Sequence, residues 1–76
     1  MNYDFTVVIE QDGKAFHAFV PRLPGCHSFG ASVEEAQKNI AEAVELHVES
    51  MIADGEEVPM EALPFFVSRM SVPIAA

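Results

Sequence analysis

Tyr3, Phe5, Val7 and Ile9 alternate with Asp4, Thr6, Val8 and Glu10, the period-two pattern of a strand with one buried face. Asp12-Gly13 follows and predicts a type I′ hairpin turn, in which both central residues take positive φ. Read as a two-residue loop, it sets Gln11 opposite Lys14 and Phe5 opposite Val20. One face of the hairpin then carries Phe5, Val7, Ile9, Phe16, Ala18 and Val20, and becomes the core. The other carries Thr6, Val8, Glu10, Ala15, His17 and Phe19. Val8 and Phe19 are apolar on a side that a single helix layer leaves bare, and such a pair marks a contact surface.

Pro21 ends the second strand because proline cannot donate to a ladder, and Pro24-Gly25 forces a tight turn after Leu23. Cys26 to Phe29 reads as a short third strand closed by Gly30. Ser32 has N-cap chemistry and Glu35 stands three residues later, which predicts a capping box in which each side chain satisfies the other's backbone N–H. The helix is expected from Val33 to Ala53, about 30 Å long, with Gly55 just past its end. Ala36, Ile40, Ala43, Val44, His47 and Met51 form its apolar stripe, opposite Glu34, Lys38, Glu42, Glu45 and Glu49. After a polar loop with Pro59, the segment Phe65 to Val72 reads as a fourth strand. Phe66, Ser68 and Met70 point to one side of it. The predicted fold is α+β in the order β-β-β-α-β: an antiparallel three-stranded meander plus a further strand, with one long helix on one face. Residues 1–76 read as one domain.

The chain has 76 residues, so area scaling gives roughly 4,600 Å² exposed when folded, and only about 60% of the chain's surface can be buried. A core this small calls for support, and a single cysteine excludes an internal disulfide. A homo-oligomer is the expected support, most simply a two-fold dimer and otherwise a tetramer, sharing the second sheet face or the fourth-strand edge. Twelve acidic against four basic side chains give a net charge of −8. That charge repels phosphate backbones, argues against direct nucleic-acid binding and favours a basic protein partner. No apolar run approaches the ~20 residues of a membrane span, and the N-terminus lacks the basic start and apolar core of a secretory signal, so a cytoplasmic protein is expected.

Chemistry-bearing constellations are weak. Glu10 and Asp12 flank the first turn, but a two-metal nuclease needs more converging carboxylates than the sheet offers. Cys26, His27, His17 and His47 lack the paired spacing of a structural zinc site. Cys26 and His27, adjacent on a strand, point to opposite faces and make no nucleophile–base pair. Gly25 and Gly30 serve turn geometry rather than phosphate binding. No catalytic residue, metal or cofactor is expected. Val8, His17, Phe19, Arg22 and Phe66 are the candidate partner or oligomer surface.

The run Val7-Val8-Ile9-Glu10, Asp12-Gly13, Phe16-His17-Ala18-Phe19-Val20-Pro21, Leu23-Pro24-Gly25-Cys26 and Gly30-Ala31-Ser32-Val33-Glu34-Glu35-Ala36 resembles the HicB-like antitoxin family. The similarity extends through Asn39-Ile40 and Glu42-Ala43-Val44-Glu45-Leu46-His47, covering about residues 3–50. The resemblance implies a truncated ribonuclease-H-like fold that has lost nuclease activity and binds proteins. In type II toxin–antitoxin pairs such a domain sequesters a small HicA-type toxin, an mRNA-cleaving protein, by covering its active site. Many relatives add a C-terminal DNA-binding module; here Val72 is followed only by Pro73-Ile74-Ala75-Ala76, and no such domain is expected. Arg22 stands where the family more often has an acidic residue, and Ala31-Ser32 where an acidic residue and threonine are common. The alternative reading is a stand-alone, self-associating scaffold module of the same fold with no toxin partner.

Overall fold

The computed structural model describes residues 3–60, 66 and 68–75. Three strands, β1 (Val8–Asp12), β2 (Ala15–Phe19) and β3 (His27–Gly30), form an antiparallel meander in the order β1-β2-β3, and one helix, α1 (Val33–Ala53), follows. The α+β class and the element order through the helix are as the sequence predicts.

The hairpin register differs from expectation by two residues. Val8 faces Phe19 and Asp12 faces Ala15, so the loop is Gly13-Lys14. Gly13 has φ +64 and, among the described residues, no non-glycine residue has positive φ, which is the pattern of a type II′ turn with glycine at the first central position. A type I′ turn would have required Asp12 in the left-handed region, which its Cβ disfavours. Because side chains alternate with period two, a shift of two leaves every residue on its expected face.

Two nested turns shape the β2–β3 connection. Leu23 N–H donates to Val20 O at 3.0 Å, and Cys26 N–H donates to Leu23 O at 2.9 Å. In the second turn Pro24 and Gly25 (φ +83) hold the two central positions of a type II turn, where only glycine takes positive φ without penalty. The turns drive Leu23 inward until it is 1% exposed.

Helix α1 begins and ends where the sequence signals it. Ser32 is the N-cap, and its Oγ accepts from Glu35 N–H at 3.1 Å. The return bond goes one residue further back than expected: Glu35 Oε1 accepts from Ala31 N–H at 3.0 Å. At the other end Gly55 (φ +74) donates to Ile52 O and Glu56 N–H to Met51 O, a Schellman motif that satisfies two carbonyls of the last turn. Gly30, at the end of β3, lets the helix start approach the strand: a Cβ there would stand 2.8 Å from Ala36 Cα and from Glu35 C.

The helix covers one face of the sheet, mainly β2 and β3. Ala18, Val20, Leu23, Cys26, Ala36, Ile40 and Val48 are buried, with Phe5, Val7, Ile9, Phe16, Val44 and Met51 partly buried around them. Fully burying a side chain such as Leu23 or Ile40 is worth roughly 1.5–3 kcal/mol. Of the predicted stripe, Ala36 and Ile40 are buried and Ala43, Val44, His47 and Met51 half-buried; Val48, left out of that stripe, is buried.

The predicted fourth strand is not formed among the described residues. Phe66 and residues 68–72 lie outside any strand, while Phe65 and Val67 fall outside the described residues. Period-two patterning assigns faces but supplies no ladder partner, and among the described residues the edge strands of the sheet are β1 and β3.

Candidate docking face

The sheet surface turned away from α1 holds two cross-strand rows. Val8, Phe19 and His27 form one, and Glu10, His17 and Phe29 the other, each built from directly opposed residues of β1, β2 and β3. His17 is the hub. Its ring lies 4.7 Å from Phe29, 5.6 Å from Phe19 in a stacked arrangement, and 5.5 Å from His27 edge-on. These spacings are those of mutually packed aromatic rings. His17 Nδ1 also stands 3.6 Å from Glu10 Oε1, a contact that becomes an ion pair only when the imidazole is protonated.

The face is rigid because its residues sit on paired strands, and open because no element covers it among the described residues. Phe29 is 47% exposed. A shallow groove of about 470 Å³ continues it, from His17, Phe19 and His27 onto Pro21, Leu23 and Pro24 of the β2–β3 turns. The signature residues Pro21, Leu23, Pro24 and Gly25 thus build one end of the surface as well as the turn. Apolar rings, two imidazoles and a carboxylate at the rim suit recognition of another protein surface.

Of the candidate residues, the structure unites Val8, His17 and Phe19 on this face. Arg22 is exposed on the adjoining turn. Phe66 does not join them; it lies in the C-terminal segment, 88% exposed and outside the sheet. The sequence reading missed His27 and Phe29. The signal was present, since alternation from buried Cys26 through buried Gly30 turns residues 27 and 29 outward. It also assigned no role to Asn39, whose Nδ2 donates to Phe29 O at 2.7 Å and ties the far edge of the face to α1.

Cys26 belongs to the core rather than to the face. Burial pushes its thiol pKa up, so it stays protonated and poorly nucleophilic, and His27 points the other way. Among the described residues no three His, Cys, Asp or Glu side chains gather as a metal site. No helix among them is long and apolar enough to cross a membrane.

Residues 5–67 match the family described as the HicB-like antitoxin of bacterial toxin–antitoxin systems. The chain belongs to the HicB-like antitoxin family. It is 52% identical over 63 residues to a UPF0150 protein of Synechocystis, covering 80% of this chain and 78% of that one. A UPF0150 protein of Helicobacter pylori is 53% identical over 47 residues, which cover 62% of this chain and 65% of the relative. The crystal structure of the N-terminal domain of the Burkholderia pseudomallei antitoxin HicB superposes with a TM-score of 0.62 at 35% identity, covering 86% of this chain and 72% of that one. The HicB-like match takes in all three strands, the nested turns and α1, hence every residue of the docking face.

Proposed function

We propose that this HicB-like domain is the antitoxin of a type II pair acting in the cytoplasm, and that its outer sheet face docks on a small basic HicA-type toxin and sequesters it. The observation that carries the reading is the continuous His17-centred aromatic face, held rigid by three strands and left uncovered, on a chain of net charge −8. Aromatic residues dominate interface energetics, and charge complementarity speeds encounter with a basic partner. The resting position of the groove beside the face gives a protruding toxin segment a place to seat.

The test is rescue of growth. Co-expression with the HicA-type toxin of its own genome is expected to relieve growth arrest, Phe19→Asp to abolish the relief, and Lys38→Ala, on the far side of the helix, to preserve it. Both variants should keep the helical circular dichroism of the parent. Full rescue by Phe19→Asp would remove the outer face from the mechanism, and failure of the parent to rescue would favour the stand-alone scaffold.

A further inference from the structure

The C-terminal segment, Phe66 and residues 68–75, presents an unusual surface. Phe66, Met70, Val72 and Ile74 share one parity with a single polar residue, Ser68, and are 88%, 80%, 62% and 80% exposed. Arg69, Ser71, Pro73 and Ala75 share the other. The arm therefore carries its large apolar side chains on one parity, as a strand with a mainly apolar face does, yet it makes no ladder among the described residues.

An apolar groove that could receive such a strand lies elsewhere on the same fold. Residues 3–7 precede β1 outside any ladder, and among the described residues β1 is an edge strand paired on one side only. Between this stretch and α1 runs an apolar groove of about 500 Å³, with Tyr3 and Phe5 on one wall, Val44 and Ile52 on the other, and Glu45 and Glu49 along the rim. The arm holds Arg69, one of the four basic side chains, and none of the twelve acids, so its charge complements that rim.

We infer that the occupant of this groove is the arm of a second copy of the chain, laid along the edge of β1 by strand addition and exchanged reciprocally in a two-fold dimer. Two observations and a symmetry argument favour a second copy. The arm leaves its own groove open, with its apolar side chains in solvent. The chain exposes 6,071 Å², about 1,500 Å² more than the ~4,600 Å² expected for a compact protein of its mass. Per chain, that excess is about twice the roughly 800 Å² that each partner buries in a standard stable interface. Reciprocal exchange uses the same groove and arm twice, which closes the assembly and leaves the outer sheet face free. This inference does not depend on the toxin-binding reading.

The test combines solution mass with amide hydrogen exchange on the full-length chain. The parent is expected at twice its 8.3 kDa mass, with amides of residues 68–72 protected above the dimer's dissociation midpoint and unprotected below it. The double variant Met70→Asp, Val72→Asp should run at 8.3 kDa with unchanged circular dichroism, because the arm contributes nothing to the core of its own chain. Phe19→Asp should leave the mass at the dimer value. A parent that is monomeric at every concentration would overturn the inference. So would arm protection in the monomer, which means closure onto its own groove, or a dimer indifferent to the double variant.

Discussion

Gly30→Ala perturbs the junction on which the docking face depends. The added Cβ would stand 2.8 Å from both Ala36 Cα and Glu35 C, distances that real Cβ contacts essentially never show, and all its close neighbours are backbone. No side chain can rotate away, so the first turn of α1 must move off β3. Overpacking of this kind costs about 1–3 kcal/mol, and the stiffer unfolded chain returns about 0.4–1 kcal/mol of that. A net loss of about 1.3 kcal/mol is a substantial part of the roughly 4–11 kcal/mol expected for a domain of this size. It should lower Tm by about 5–10 °C, read from the helical circular dichroism on heating. Gly13 supplies the control, because nothing lies within 4 Å of a Cβ there and its cost comes only from φ +64. Asn tolerates the left-handed region better than Ala does, so Gly13→Asn should be milder than Gly13→Ala. At Gly30 the larger side chain should be worse than Ala. A Gly30→Ala Tm equal to or above the parent's, or Gly30→Asn no worse than Gly30→Ala, would refute close approach as the role of this glycine.

Leu23→Ala should cost about 2–5 kcal/mol in urea denaturation, since Leu23 is buried and the two turn hydrogen bonds prevent the loop from collapsing into the cavity. Ser32→Ala removes the acceptor for Glu35 N–H and should cost about 1 kcal/mol, seen as a lower denaturation midpoint at unchanged slope. Cys26 has its pKa raised by burial, so above the ordinary thiol range of about 8.5 the unfolded chain loses this proton first and stability falls as pH rises. Cys26→Ala should flatten that alkaline decline, measured as ΔG of unfolding against pH; an unchanged decline would mean other groups cause it.

Local chemistry was legible in the sequence because it is decided by neighbours in the chain. Ser32 and Gly55 mark the two ends of α1, and Pro24-Gly25 specifies its turn. The faces of the hairpin were also legible, since they depend only on parity. Its register was not, because Asp12-Gly13 is compatible with either of two glycine positions in a tight turn, and the choice rests on which residue can take positive φ. At Phe66 and residues 68–72 the pattern predicts a strand that does not form among the described residues, because a strand needs a partner as well as a pattern. Within the docking face, Val8, His17 and Phe19 followed from the first hairpin, whereas His27 and Phe29 required carrying the parity through β3. The hub role of His17 depends on three ring contacts across strands, and no spacing along the chain encodes them.

The most direct test of the antitoxin account is to map where the toxin touches. Titrating the isotope-labelled chain with the HicA-type toxin and following backbone amide resonances should perturb β1, β2, β3 and the turn at residues 21–25, centred on His17, Phe19 and Phe29. The amides of Lys38 and Glu42 on the outer side of α1 should stay in place. Perturbation centred on α1, with the sheet unmoved, would contradict the claim that this protein binds its partner through the outer face.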